Sequence, residues 1–444
     1  MLINKNLIEL PLTQNTCDGS QKCKEITIPG ENTQRACAFH GSRISICSQI
    51  DGVIHLVHSP VGCALYSWVY RSNKNENCIT TNIQENDVIF GSEEKLFNAI
   101  IEAHNEFPDM DAIFVYETCV PGLIGEDMRA ITDKASKIIK KPVLLFNSAG
   151  FKGISQNEGH KVASDELFSL IGTGTNSNYK KEKHNLNLIG EYNPKDFESA
   201  KEMLNLIGVN VVASFTANST IDAIKSLHET DLNIVECSKS TMNLAKHMEY
   251  EFKVPFMEAK FFGIDNCSSS IVKIGNFFGI EEEKQEFVIE QCMNEIAPEL
   301  EIYKKRLANK TAFISYGAQR IKYLIGPLTD LGIRVIGVSS YFGGKKDHKG
   351  IKKQLERNRR LTGSNIDYSV VISDNPDTQE LKDKIIEHKP DLFISDNRLR
   401  FFAYRLRIPF VYGKGTEKSY AGFKGFLNFA RELDSVINSK IWRF

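Results

Sequence analysis

His58-Ser-Pro-Val-Gly-Cys-Ala-Leu-Tyr-Ser-Trp-Val-Tyr-Arg71 follows an apolar run, Val53-Ile-His-Leu-Val57, that reads as a buried strand. Ser-Pro and Gly62 break the strand. Cys63 is therefore expected on a turn at a strand's carboxyl end, where open α/β sheets keep their ligands. Cys37, in Ala36-Cys-Ala-Phe-His-Gly-Ser42, and Cys119, in Tyr116-Glu-Thr-Cys-Val-Pro-Gly122, have similar settings. A single cysteine on such a turn is usually a small buried hydrophobe. Three of them, each beside Gly or Pro, point to thiolates gathered around a metal centre.

Outward from this stretch, strands and helices alternate. Strands are expected at 112–116, 142–146, 186–190, 209–212, 232–235, 254–257, 311–315, 334–338, 369–372, 392–395 and 408–411. Ser92 reads as a helix cap, and Glu126 and Asp127 as the acidic first turn of another helix. Further helices are expected near 195–207, 218–229, 240–252 and 281–308. This alternation predicts an α/β protein of parallel sheets covered on both faces. Residues 1–35 read as a polar N-terminal arm. Three blocks follow: 36–180 with the three cysteines, 185–305, and 306–444. The Gly- and Asn-rich run from Gly172 and the charges at 180–183 mark the first boundary.

The composition is that of a globular chain long enough for several cores: 444 residues, 41% hydrophobic and 25% charged. A formal net charge of −1 gives no electrostatic case for nucleic acid or an anionic membrane as partner. No apolar run approaches a bilayer span, and the first residues do not read as a signal peptide. The expected location is the cytoplasm. There, ten cysteines are not expected to form a disulfide framework. Seven of the ten lie in the first 119 residues, which again favours a metal site in the N-terminal part. Cys17 and Cys23 match no strong zinc template and read as free thiols. The phosphate fingerprints G-x-G-x-x-G and G-x4-G-K-[ST] are absent, so nucleotide is expected on a partner instead.

Ligands drawn from three separate loops differ from the tight C-x2-C units of zinc ribbons and ferredoxins. Three thiolates are also one short of the usual set for an iron–sulfur cluster, and a cluster shared with a second subunit would supply the rest. The motifs Cys37-Ala-Phe-His-Gly-Ser42, His58-Ser-Pro-Val-Gly-Cys-Ala64, Asn86-Asp-Val-Ile-Phe-Gly91, Thr118-Cys-Val-Pro-Gly-Leu-Ile-Gly-Glu-Asp127 and Ser148-Ala-Gly-Phe-Lys-Gly153 resemble those of the nitrogenase component 1 superfamily. That superfamily includes the catalytic molybdenum–iron protein and its cofactor-assembly scaffold. The resemblance runs from about residue 36 to near the end of the chain. It implies three Rossmann-like domains, a homologous beta-type partner in an α2β2 heterotetramer, and electrons from an ATP-dependent iron protein. Cys37, Cys63 and Cys119 would hold half of an interfacial cluster, either a P-cluster or a 4Fe–4S cluster.

The same resemblance assigns Cys237, in Val235-Glu-Cys-Ser-Lys-Ser-Thr-Met-Asn243, as the anchor of a larger iron–sulfur cofactor, iron-only or of a molybdenum-containing precursor type. Cys237 is expected to end a strand and open a helix, a place that favours thiolate. Arg71, Gln156, His160 and Arg320 align with the polar pocket around that cofactor, where an anionic cluster needs cationic and N–H donors. Imidazole exchanges protons near neutral pH, so His160 is the expected proton donor. The superfamily's catalytic alpha chain carries a histidine ligand in the loop that corresponds to 410–423. Here no histidine follows His388. The protonated Lys414 or Lys418 of that loop pairs with anions but does not ligate metal. The reading is an alpha-type reductase subunit acting on a small substrate. Its alternative is a scaffold on which a cofactor precursor matures.

Overall fold

The computed structural model describes residues 36–69, 77–152, 155–175, 179, 183–191, 193–237, 240–341, 345–363, 371–374, 377–413 and 418–443. The expected N-terminal arm, the Cys17–Cys23 pair and Arg71 lie outside them.

Three parallel sheets organise these residues. In chain order the strands are β1 (Ile50–Asp51), β2 (Val53–His58), β3 (Asn77–Thr80), β4 (Ala112–Glu117), β5 (Val143–Asn147), β6 (His184–Ile189), β7 (Val209–Phe215), β8 (Ser219–Thr220), β9 (Leu232–Val235), β10 (Phe256–Glu258), β11 (Thr311–Gly317), β12 (Arg334–Tyr341), β13 (Val371–Asp374), β14 (Leu392–Ser395) and β15 (Phe410–Tyr412). The first sheet has the order β3-β2-β4-β5, the second β10-β9-β6-β7, the third β13-β12-β11-β14-β15, and β1 pairs with β8. All are parallel. The α/β class and parallel sheets expected from the alternation are present.

The first sheet shows why its strands read as continuous apolar runs. Phe114, Tyr116 and Phe146 pack on one face with Phe39. Ile54, Leu56, Ile113, Val115 and Leu145 pack on the other, against Leu96, Ile100, Met128 and Ala135 of two helices. With both faces buried, neither alternate position can be polar without a partner. His55, fully buried, meets that demand with its Nδ1 2.8 Å from the Tyr116 hydroxyl.

The connections from β2, β6 and β11 lead to a neighbour on one side, and a later strand joins from the other. Such a reversal opens a crevice at the strand's carboxyl end. The residues that follow these three strands include Cys63, Glu191 and Arg320 respectively.

The chain forms two compact units, one of Arg35–Ile302 with Gly415–Arg431, the other including Tyr303–Lys414 and Glu432–Phe444. In the first, the returning segment is pinned by Asp196, which accepts from the Ser419 hydroxyl (2.9 Å) and from the Tyr420 (2.7 Å) and Ala421 (3.1 Å) amides. Tyr420 and Phe429 pack on Phe262. Two helices differ from expectation. The expected 218–229 helix is only Ile221–Lys225, because Ser219–Thr220 is drawn into a strand pair with Ile50–Asp51. An unexpected helix, Ile264–Phe277, precedes the long one at Glu282–Leu307. No helix among the described residues is long and apolar enough to cross a membrane.

Candidate functional site

Cys63 stands in the first turn of a helix, Val61–Val69, and not on an open turn. Pro60 ends β2 without preventing that helix, since a proline at a helix entrance forfeits only a donor that has no intrahelical partner. Cys119 opens a second short helix, Cys119–Ile124, directly after β4. Cys37 makes an isolated antiparallel bridge with Ser155 and leads into a π-helix, His40–Ile46.

Close backbone packing sets the position of Cys37. A Cβ on Gly41 would lie 2.0 Å from the Gln156 carbonyl oxygen, and one on Gly159 would lie 1.9 Å from that of Ala38. Only glycine permits this approach of the π-helix to helix Gln156–Phe168. The Ser42 hydroxyl, 2.6 Å from that of Ser148, ties the same segment to the Gly150 loop. His40 Nδ1, 2.8 Å from the Tyr66 hydroxyl, ties it to the Cys63 helix.

The three expected sulfurs converge. The point where Gly150 would carry a Cβ lies 3.8 Å from the sulfurs of both Cys37 and Cys119, and 3.0 Å from the Cys37 Cβ. A side chain there would fill the space between the two thiols. Burial pushes the Cys63 thiol up, and Cys119 and Cys37 push it the same way as neighbouring negative charges. Three thiolates brought together repel one another until a cation joins them. Among the described residues no three His, Cys, Asp or Glu side chains close to single-ion spacing.

The same elements expose apolar side chains: Val61, Leu65, Trp68 and Val69 on the Cys63 helix, Leu123 on the Cys119 helix, Phe151 beside Gly150, and Val88, Ile89 and Phe90 on the helix Glu85–Phe90. Phe90 is 84% exposed and Leu123 74%. Large apolar side chains left in solvent are a feature of interaction surfaces.

The second group of expected residues lies toward the second sheet. His160 is buried in helix Gln156–Phe168. Its Nε2 lies 3.4 Å from Gln156 Nε2 and 3.7 Å from the carboxylate of Glu191, two residues beyond β6. The Gln156 amide also donates to Ser45 Oγ at 3.0 Å. Nε2 is within hydrogen-bond reach of the Gln156 amide, while Glu191, at 3.7 Å, acts on it as a nearby carboxylate charge and not as a hydrogen-bond acceptor. Cys237, half-buried, follows β9, whose Val235 is in register with Ile189 of β6. Glu191 and Cys237 thus follow neighbouring strands at the same carboxyl end of one sheet. The expectation that Cys237 opens a helix is corrected: the next helix begins at Met242, capped at Thr241, so Cys237 belongs to the loop. The Ile189 carbonyl accepts from the Glu236 amide at 3.0 Å.

Arg320, in the other unit, donates to the Gly413 carbonyl through Nε (3.0 Å) and Nη2 (2.7 Å) and stacks 5.0 Å from the Tyr323 ring. Glu126 is also corrected. The helix it was expected to open starts at Met128, with Asp127 as cap accepting from the Ala130 amide. Glu126 turns inward to Ser92 and His58. Ser92 does occupy a cap position, but its hydroxyl serves Glu126 and not the helix. The contributions of Gly150, Glu191 and Glu126 were missed. For Gly150, and for Gly41, the signal was a glycine inside a quoted motif.

The match to a family model for nitrogenase component 1 type oxidoreductases runs over residues 37–438. The chain belongs to that family. It is 36% identical over 441 residues to a nitrogenase molybdenum–iron protein alpha chain of Methanothermobacter thermautotrophicus, covering 95% of this chain and 91% of the relative. It is 34% identical over 440 residues to the nitrogenase iron–molybdenum cofactor biosynthesis protein NifE of Clostridium pasteurianum, covering 96% and 92%. A solved structure of nitrogenase Cp1 at pH 6.5 superposes with a TM-score of 0.83 at 27% identity, covering 94% of this chain and 91% of that one. The component 1 resemblance of the five motifs is therefore correct, and relatives of both the reductase and the scaffold kind occur.

Proposed function

We propose that this chain is the alpha-type subunit of a nitrogenase-like component 1 reductase. The observation that carries the reading is the convergence of Cys37, Cys63 and Cys119 on elements that also expose large apolar side chains. A lone subunit gains nothing from such a surface, whereas one that shares a cluster with a homologous beta-type subunit buries it. The partners are then that subunit, in an α2β2 heterotetramer, and an ATP-dependent iron protein.

When bound, the interfacial iron–sulfur cluster supplies low-potential electrons, and the cofactor anchored at Cys237 the place where a small substrate is reduced. The chain's own residues then do the following. Cys37, Cys63 and Cys119 hold the first group. Cys237 holds the second. His160 is the proton donor, with the Gln156 side-chain nitrogen 3.4 Å and the Glu191 carboxylate 3.7 Å from its Nε2. Replacing His160 by Gln removes the exchangeable proton and keeps a donor, so turnover should fall by roughly a hundredfold or more.

The second reading, a scaffold for the cofactor precursor, is favoured by one feature: no histidine follows His388 to ligate the far end of a cofactor. The test is to incubate the complex with its iron protein and ATP. Reduction of dinitrogen or acetylene supports the reductase. Transfer of a cluster to an apo acceptor, without turnover and indifferent to His160→Gln, supports the scaffold.

A further inference from the structure

The Glu126 carboxylate is 5% exposed, yet it is the hub of a buried polar network. It accepts from the Ser92 backbone amide and from the Ser92 hydroxyl, at 2.6 and 2.8 Å from its two oxygens. Its Oε2 lies 3.1 Å from His58 Nε2. The other ring nitrogen of His58 lies 2.9 Å from Thr81 Oγ1. The His58 carbonyl accepts from the Thr118 hydroxyl at 2.9 Å. His58 begins the run that ends in Cys63, and Thr118 precedes Cys119.

Serine, histidine and carboxylate suggest a nucleophile, and the geometry excludes one. Ser92 and Glu126 both crowd the same ring nitrogen, the serine proton is committed to the carboxylate, and Ser92 is 1% exposed. What the network does reach is the backbone of two cysteine-bearing segments. A buried carboxylate holds its donors firmly because losing one leaves charge uncompensated.

We propose that Glu126, acting through His58 and Thr118, is a positioning residue that fixes the segments carrying Cys63 and Cys119 before any metal arrives. The proposal rests on reading these thiols as cluster ligands. Cys37 is held independently, by the Gly41–Gly159 crossing.

The test is backbone hydrogen exchange on the metal-free chain, read by mass spectrometry, for Glu126→Gln, Thr118→Val and Thr118→Ser. In Glu126→Gln, segments 59–66 and 118–125 should exchange roughly tenfold faster or more, with the Cys37 segment unchanged. Thr118→Val should release only 118–125, and Thr118→Ser, which keeps the hydroxyl, should restore it. In the loaded complex, Glu126→Gln should also move the midpoint potential of the interfacial cluster. Unchanged exchange in both segments overturns the proposal. So does acceleration spread through β5 and helix Gln156–Phe168, which reports general loosening. If the wild-type complex holds no iron, the cluster reading fails while the exchange result stays readable.

Discussion

Gly150 shows how one missing side chain shapes the site. A Cβ there would stand 3.0 Å from Cys37 Cβ and in van der Waals contact with two sulfurs. Gly150→Val should therefore cut the iron retained by the purified complex severalfold with little change in melting temperature, as iron quantitation and calorimetry would show. Equal iron in variant and wild type would place the cluster elsewhere. A second residue-scale effect is pH. Burial holds His55 well below its ordinary value of 6.5 and also lowers His58. The unfolded chain takes up these protons as pH falls through about 6.5, and the folded chain does not. Stability is thus full above that pH and lost below it, with a slope of up to about 1.4 kcal/mol per pH unit for each histidine. Chemical denaturation of the metal-free chain should show the loss between about pH 7 and pH 5. His55→Gln should reduce the slope, and a flat profile for wild type would contradict the assignment. Cys63 and Cys119 were legible in the sequence because each follows a strand with Gly or Pro close by, whereas Cys37 lies at an isolated bridge and not at a strand end. The inward turn of Glu126 was not, because an acid near a helix start reads as a dipole partner until Ser92 and His58 are seen beside it.

At the scale of elements, the π-helix His40–Ile46 and helix Gln156–Phe168 cross with backbone against backbone. Gly159→Ala sets a methyl 1.9 Å from the Ala38 carbonyl oxygen. Neither backbone is a flexible side-chain end, so the crossing must open, at a cost of about 3 kcal/mol or more. Denaturant unfolding of the metal-free chain measures it, and a loss below about 0.5 kcal/mol would mean that the helices are not locked. The long strands were legible because burial on both faces leaves an unbroken apolar signature, whereas the short β1 and β8 and the half-buried β3 carry no such signature and were not expected. Short helices were less so. Val61–Val69 was concealed by Pro60, and Ile221–Lys225 was overestimated because a distant strand claims its first residues.

For the molecule as a whole, the family follows from the sequence match and the superposition, while the parts the chain plays in an assembly follow from its open face. Charge on that face should break the assembly before it disturbs the fold. Leu65→Asp with Leu123→Asp should leave the circular dichroism of the chain unchanged and abolish association with the beta-type partner in native mass spectrometry. Persistence of the complex would locate the interface away from the cysteines. The central claim, that three thiolates from separate segments hold iron at a shared face, is tested most directly by one comparison. The chain and its beta-type partner are purified together without oxygen, as wild type and as Cys37→Ala, Cys63→Ala and Cys119→Ala, and their interfacial iron is read by Mössbauer spectroscopy. The account predicts an iron–sulfur signal in the wild type that each of the three replacements diminishes or abolishes. A complex without that signal, or a signal that all three replacements leave intact, would contradict it.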